Sequence, residues 1–444
     1  MNCKVRFAPS PTGLMHVGNA RIAIVNYLFC RKNFGTFLFR VDDTDLARSQ
    51  KKYEDAIKEN LDWLGIVYDE TFKQSEKLER YQEVMEKLIS KGILYKCYET
   101  QEELEYKRRI ATSKGLPPIY DRTALTLSDT EKRKLSDEGI PFYWRFKLPK
   151  KTVSWNDLIL GEVSYNLNNV SDPVIVKADG TYLYTFSSVV DDFDSNITHI
   201  IRGQDHVTNT AIQIAMFDEV SSSKYHVEFA HLSLLVNKDG SQFSKRLGSM
   251  SLEDMRQKGI DAMAVWCILA TLGSSLDTVP FNKIDDLINY FDISKFSSNS
   301  PKFDINDVLK INKKILHSKT FDEIKQWGIS EKAYEVIREN ISSYIDFQMW
   351  NDILKDNYNS TFLPTDLETK LLKIAAKELS KIQEFDEISG QEFLKNVKIS
   401  TGLSGKELYM PLRKALTDME HGPNIVQLLT LLGKSEVLRR LNAY

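Results

Sequence analysis

Two short stretches carry residue types suited to handling phosphate. Residues 9–21 read Pro-Ser-Pro-Thr-Gly-Leu-Met-His-Val-Gly-Asn-Ala-Arg, and far downstream residues 242–246 read Gln-Phe-Ser-Lys-Arg. The first is a Pro/Gly-rich turn between an apolar run, Val5 to Ala8, and a helical pattern, Ile22 to Phe29. A strand, a turn and a helix in that order leave free backbone N–H groups and the positive helix end aimed at one point. Gly18 has no Cβ to hold a nucleotide off the backbone, and the ring of His16 can donate to a phosphate oxygen. The second stretch follows a predicted hairpin, Leu234 to Asn237 and Ser241 to Phe243, around an Asp-Gly turn. It delivers Ser244, Lys245 and Arg246 as a basic loop. Taken singly, each has a plainer reading. A histidine at a helix start is more often a cap, a Gly-rich corner occurs in many α/β folds, and a charge run is usually solvated surface. The two together narrow the chemistry to nucleotide phosphates.

Carboxylates and arginines gather at other predicted strand ends. Thr36 to Val41 alternates as a second strand, and Asp42, Asp43 and Asp45 follow it. A carboxylate there suits an amine or a ribose hydroxyl, although Asp43 and Asp45 equally suit a cap on the helix Lys52 to Leu64. Ile197–Ile201 reads as a buried strand followed by Arg202-Gly-Gln-Asp-His206. Ligands of open α/β sheets collect beyond the carboxyl ends of the strands. Arg6 and Arg202 occupy such ends, and the planar fork of arginine matches a carboxylate.

The elements that position these groups alternate strand and helix. Residues 1–77 do so, as do residues 172–226, where Val174–Lys177 is a strand, Tyr182 to Val190 a helix and Thr208 to Phe217 another. Between them come an amphipathic helix, Ser75 to Gly92, a charged helix at Gln101–Ser113, and strand-like pieces at 94–97, 144–148, 153–155 and 162–165. After Asp304 convincing strands end and helical patterns continue to the C-terminus, broken at Gly328, Pro364 and Gly390.

At 444 residues the chain suffices for two to four domains. Its net charge of −3 requires any nucleic-acid contact to be locally basic. The N-terminus opens directly into a strand, with no basic-then-apolar leader. No apolar run reaches the ~20 residues of a membrane span. Cys3, Cys30, Cys97 and Cys267 are scattered, which predicts reduced thiols in a cytoplasm rather than a disulfide framework.

The pair of stretches resembles the HIGH and KMSKS signatures of class I aminoacyl-tRNA synthetases. The surrounding words resemble the bacterial glutamyl-tRNA synthetases: Arg6-Phe-Ala-Pro-Ser-Pro-Thr-Gly13, Arg40-Val-Asp-Asp-Thr-Asp45, Val189-Val-Asp-Asp192, Ile201-Arg-Gly203, Pro411-Leu-Arg-Lys-Ala-Leu-Thr417 and Leu431-Leu-Gly-Lys434. The match is collinear along the chain. It implies a doubly wound, parallel-sheet, Rossmann-type α/β catalytic domain formed by 1–77 and 172–226, split by a mixed α/β insertion at 78–171 that cradles the tRNA acceptor end. Residues 227–305 become a stem-contact region carrying the basic loop, and 306–444 an all-helical anticodon-binding region.

The resemblance implies ATP-dependent attachment of glutamate to the 3′ end of tRNA-Glu through a glutamyl-adenylate, with tRNA-Gln as an additional or alternative acceptor. It assigns catalysis to His16 and Lys245, and ATP binding to His16, Gly18, Asn19, Asp205, Ser244, Lys245 and Arg246. Glutamate falls to Arg6, Ser10, Asp42, Tyr184 and Arg202. Magnesium is expected with ATP, held by few protein ligands, and a monomer is expected. Many relatives carry a zinc knuckle in the insertion. Here Cys97 has only Glu99 and Asp121 nearby, short of four good ligands, so no zinc is predicted.

Four positions or stretches invite comparison with the family pattern. Asp42 stands where the family usually has Glu, one methylene longer, and a bridging water can make up the reach. Gln242 replaces the first Lys of the second signature, Asn19 ends the first, and Leu-Gly-Ser-Met-Ser-Leu follows Arg246. The competing readings are a catalytically inactive tRNA-binding paralogue, a truncated relative that glutamylates a tRNA base, and a nucleotidyltransferase without RNA. Presence of His16, Gly18, Ser244 and Lys245 opposes the first, and the helical stretch 306–444 opposes the other two.

Overall fold

The structure, a computed structural model, describes residues 2–222, 224–241 and 251–444. The chain divides into two compact units, residues 1–255 with 266–304, and residues 256–265 with 305–444.

The first unit begins with β1 (Lys4–Phe7), α1 (Val17–Lys32), β2 (Thr36–Val41), α2 (Lys51–Trp63) and β3 (Glu70–Lys73). The three strands are parallel in the order β1-β2-β3. Phe37, Leu38 and Phe39 are fully buried, as expected of a parallel strand covered on both faces. Helix α1 is buried around most of its circumference, which explains why Ala23 to Cys30 reads apolar with no clear stripe. Then come α3 (Leu78–Ser90), β4 (Leu94–Cys97), α4 (Gln101–Ser113), α5 (Asp129–Asp137), β5 (Tyr143–Phe146), β6 (Thr152–Asp157), β7 (Gly161–Asn166) and β8 (Val174–Val176). β4, β5 and β8 form an antiparallel sheet. The unit continues through α6 (Tyr184–Asp194), β9 (His199–Gly203), α7 (Val207–Ser221) and β10 (Glu228–Leu232).

β10 pairs in parallel with β9 on one side and with β6 on the other, and β6 turns back antiparallel into β7. The two parallel arrays meet where β1 approaches β9. There the Thr198 N–H donates to the Lys4 carbonyl at 2.9 Å and the Lys4 N–H to Thr198 Oγ1 at 2.7 Å. Asn26 on α1 donates to the Ile201 carbonyl at 3.0 Å and ties the helix to the same junction. The chain winds outward in both directions from this junction, the kind of reversal point at which open α/β sheets bind ligands.

The hairpin β6–β7 lies within the stretch 78–171, yet it extends the array of β9 and β10. Its half-buried alternation announces strands without saying which sheet they join, because periodicity carries no information about the partner. Of the hairpin read at 234–243, residues 242 and 243 lie outside the described residues, and the described part contains the turn. The Asn237 N–H donates to the Ser241 carbonyl at 2.9 Å, with Gly240 at φ +85°. Val236–Asn237 instead pairs in parallel with Lys302–Phe303. Gln242, Ser244, Lys245 and Arg246 lie outside the described residues.

In the second unit every described regular element from Ile305 onward is helical. Among these helices, Asp366–Ser380, Glu387–Thr401, Lys406–Thr417 and Ile425–Leu441 pack around Phe347, Trp350, Leu372, Phe393 and Leu428, all buried. Thr365 and Asp386 cap two of them by accepting from the N–H groups of Glu368 and Ser389. No helix among the described residues is long and apolar enough to cross a membrane.

Glu54 on α2 predicts part of the acid behaviour. Burial raises its pKa, but ion pairs with Lys58 and Lys73 at 2.7 Å and Lys51 at 3.3 Å win and bring it down to about 2. The folded pKa lies below the unfolded one, near 4.5. The stabilisation is therefore complete above pH 4.5 and is lost as pH falls toward 2. Glu54→Gln will remove about 1 kcal/mol at pH 7 and flatten this part of the acid limb, read by thermal unfolding from pH 7 to pH 3. An unchanged limb would show that the three lysines do not hold Glu54 this way.

Candidate active site

A cavity of about 440 Å³ opens at the β1–β9 junction. Its floor comes from the ends of β1 and β9 and its wall from the turn into α1: Arg6, Ser10, His16, Gly18, Asn19, Tyr184, Arg202 and Asp205 all line it. These are all but one of the described residues that the sequence nominates. The exception is Asp42. Its carboxylate is buried and accepts from Arg40 Nε at 2.7 Å and Nη2 at 3.3 Å, and it is not part of the cavity lining. A carboxylate two residues past a fully buried arginine on the same strand is captured by it before it can face a ligand.

His16 is the N-cap of α1. Its Nδ1 accepts from the backbone N–H of Gly18 at 3.1 Å and of Asn19 at 3.4 Å. The plain reading of a histidine at a helix start and the chemical one therefore coincide. A neutral ring accepting at Nδ1 carries its proton on Nε2, the form able to donate to a phosphate. A Cβ on Gly18 would lie 2.9 Å from the His16 ring, so glycine here makes room for the cap as well as for a ligand.

The lining is rich in cations. Arg6, Arg21 and Arg202, beside the neutral rings of His16 and His206, face one acidic residue, Asp205, among the described residues. Arg6 Nε donates to both oxygens of Asp192 at 3.2 and 3.3 Å. Arg202 is different. It is 5% exposed, donates from Nη1 to Tyr184 Oη at 3.0 Å and from Nη2 to Thr210 Oγ1 at 2.5 Å, and its buried Nε has no partner among the described residues. No carboxylate lies within ion-pair distance of it among the described residues, and burial pulls its pKa down. Arg21 donates to the carbonyls of Ser233 at 2.6 Å and Leu272 at 2.8 Å and lies 5.7 Å from the centre of the Phe296 ring, with no carboxylate at ion-pair distance among the described residues, and burial lowers its pKa to about 10. A buried charge without a counter-charge is expensive in isolation. Two of them around one cavity make a site whose electrostatics an anion completes. Burial and the neighbouring Arg202 pull the pKa of His206 down to about 4, so its ring is neutral at pH 7.

Behind the cavity lies a buried ion cluster that sequence reading did not resolve. Arg40 is fully buried on β2, pairing with Asp42 at 2.7 Å and Asp192 at 2.6 Å, with Asp191 at 3.8 Å. Burial alone would lower the pKa of Arg40, but the three carboxylates hold it well above its ordinary value. Asp191 also accepts from Gln74 at 2.7 Å and Tyr81 at 2.9 Å. The adjacent words Arg40-Val-Asp and Val-Asp-Asp192 were the available signal. A charged residue inside an otherwise apolar strand or helix is a partner looking for its counterpart.

In the insertion, Cys97 Sγ lies 3.5 Å from Tyr120 Oη, which donates to Glu99 at 2.7 Å, while the Arg145 guanidinium lies 4.2 Å from the centroid of the Tyr120 ring. Among the described residues no group of three or more His, Cys, Asp or Glu side chains is placed to hold a metal ion.

Residues 2–310 match the family described as tRNA synthetases class I (E and Q), catalytic domain, and residues 332–444 match an anticodon binding domain. The chain is 43% identical to glutamate–tRNA ligase 1 of Maricaulis maris (strain MCS10) over 99% of its length and 98% of that protein's. It is 42% identical to glutamate–tRNA ligase 1 of Rickettsia akari (strain Hartford), with the same coverage. Among solved structures it is similar to a glutamate tRNA ligase from Elizabethkingia meningosepticum in complex with its amino acid, with a TM-score of 0.84 and 26% identity over 100% of this chain and 99% of that one. The chain therefore belongs to the class I tRNA synthetases of the E and Q group, with a parallel-sheet catalytic domain followed by a helical anticodon-binding domain.

Proposed function

We propose that this enzyme attaches L-glutamate to the 3′ end of tRNA-Glu in two steps, using ATP with its accompanying Mg2+. An ester between a carboxylate and a ribose hydroxyl is uphill in water, so the glutamate α-carboxylate first attacks the α-phosphate of ATP and pyrophosphate leaves. The tRNA hydroxyl then displaces AMP from the mixed anhydride. The single observation behind this reading is Arg202: buried, at the mouth of the sheet reversal, with no carboxylate of its own among the described residues. Its fork, with Tyr184 and Arg6, takes a glutamate carboxylate. His16 through Nε2, the positive end of α1 beside Gly18, and Lys245 from the second signature take the phosphates, where negative charge builds up in the transition state. Asn19, Asp205, Ser244 and Arg246 complete the ATP side, and Ser10 the glutamate side. Asp42 serves the amino group only through the cluster it forms with Arg40.

The reading extends to the rest of the chain: 1–77 with 172–226 as the catalytic halves, 78–171 at the acceptor end, 227–305 on the stem, and 306–444 at the anticodon. It places a monomer in the cytoplasm. The high identity to glutamate–tRNA ligases supports glutamate as the amino acid, whereas the choice between tRNA-Glu and tRNA-Gln belongs to the helical region. The test is charging of purified tRNA-Glu and, separately, tRNA-Gln with labelled glutamate. Charging of tRNA-Glu alone is expected. Arg202→Gln is expected to raise KM for glutamate on the order of 10²-fold with KM for ATP little changed. Charging of neither tRNA by the wild-type protein would leave the inactive paralogue as the answer.

A further inference from the structure

Arg202 is held without being neutralised, and the means is a hydrogen-bonded chain of four residues from four different elements. Asp157 at the end of β6 accepts from His231 Nδ1 on β10 at 2.5 Å. His231 Nε2 lies 2.8 Å from Thr210 Oγ1 on α7, and Thr210 Oγ1 accepts from Arg202 Nη2 on β9 at 2.5 Å. His231 and Thr210 are fully buried and Asp157 is 2% exposed, so water does not compete along the path. None of the three lines the cavity.

We propose that Asp157, His231 and Thr210 form a positioning relay that fixes the guanidinium of Arg202 for the substrate carboxylate, an inference that rests on Arg202 binding glutamate.

The logic is in donor and acceptor counts. Asp157 accepts from the backbone N–H groups of Ile159, Leu160 and His231, each at 3.1 Å, as well as from the His231 ring. It is a fully satisfied carboxylate and fixes the His231 proton on Nδ1. Nε2 is then an acceptor, and at 2.8 Å it offers the single Thr210 hydroxyl proton a shorter bond than the His206 carbonyl, the other acceptor in reach at 3.2 Å. Both oxygen lone pairs are left, and one takes the Arg202 N–H. In the opposite tautomer, His231 would donate to Thr210, the hydroxyl proton would turn to the His206 carbonyl, and His231 and Arg202 would take one lone pair each. Burial keeps His231 neutral despite the pull of Asp157. A carboxylate placed directly against Arg202 would anchor it more strongly, but would occupy the fork and repel an incoming carboxylate. The relay orients the fork and leaves its charge for the ligand. This also gives the hairpin β6–β7 a purpose in the active site: it supplies the first member of the chain.

Thr210→Val keeps the shape and removes the hydroxyl; Thr210→Ser keeps the hydroxyl. In tRNA charging, Thr210→Val is expected to raise KM for glutamate about tenfold or more, leaving KM for ATP and kcat within about twofold. Thr210→Ser should stay near wild type. An unchanged glutamate KM in Thr210→Val, or equal rises in both KM values, overturns the relay. A rise in Thr210→Ser as large as in Thr210→Val does so too, since packing rather than the hydroxyl would then matter. Arg202→Gln in the same assay separates the two ideas. If it leaves KM for glutamate unchanged, the binding reading itself fails; if it raises KM while Thr210→Val does not, only the relay fails. A measurement independent of those variants is 15N NMR of histidine-labelled wild-type enzyme, with the His231 signals identified by their loss in His231→Gln. A proton on Nδ1 supports the relay and a proton on Nε2 overturns it.

Discussion

Arg40→Met will destabilise the first unit by about 3–5 kcal/mol, the range seen when one partner of a buried ion pair is removed. Methionine fills most of the volume, so the loss comes from charge rather than from a cavity. Three carboxylates, Asp42, Asp191 and Asp192, remain in the space from which Arg40 is now missing, and Arg6 reaches only Asp192. Asp191 shows the tendency already. Burial raises its pKa to about 6 even with Arg40, Gln74 and Tyr81 opposing. Without Arg40 the folded state will hold protons on Asp42 and Asp191 that the unfolded state releases, since unfolded Asp titrates near 3.8. Stability of the variant will therefore fall as pH rises from about 4 toward 8. Calorimetric unfolding of wild type and variant at pH 5.5 and pH 8 reads both effects. The expected result is a deficit that grows with pH. A deficit of the same size at both values would mean that the carboxylates do not depend on Arg40.

The second large effect concerns rate. His16 caps α1 with Nδ1 and, on the proposed reading, donates to a phosphate with Nε2. The two roles are separable because asparagine is among the best N-caps, while alanine is among the poor ones. His16→Ala is expected to lose about 1 kcal/mol of stability and His16→Asn only a few tenths. Both should lose turnover, on the order of 10²–10³-fold, the usual consequence of removing one group that meets developing charge. Pyrophosphate exchange in the presence of tRNA, beside thermal unfolding of the same samples, checks the pair. If His16→Asn keeps full turnover, His16 is a cap and nothing more. If both variants lose turnover while only His16→Ala loses stability, the ring acts in the chemistry.

The fold class was legible in the sequence, and so was which of the nominated residues would come to line one cavity. Of the nominated residues that are described, Arg6, Ser10, His16, Gly18, Asn19, Tyr184, Arg202 and Asp205 share one cavity, and only Asp42 turns elsewhere. The turn that brings His16, Gly18 and Asn19 together is local, and each of the other residues sits at a strand or helix end that periodicity already marks. Arg21 was missed because a cation in the first turns of a helix reads as solvated surface, whereas here α1 is buried and Arg21 is held by two carbonyls from distant segments. Sheet membership was equally invisible: β6 has an ordinary alternating pattern, and its neighbour β10 comes some seventy positions later.

What the sequence alone determined was whatever depends on near neighbours: the strand, turn and helix around His16, the presence of a strand at β2, the helical run after Asp304, and the words that resemble the family. Hydrogen bonds between i and i+4, alternation along a strand and a cap three residues from its donor are all encoded within a few positions. Only the tertiary structure decided the pairings across the chain. Arg40 meets Asp192 across 152 positions, Arg6 meets Asp192 across 186, and Asp157 meets His231 across 74. No local pattern specifies those partners, because an isolated charge in an apolar run shows that a counterpart is needed without showing which one the folded sheet will bring.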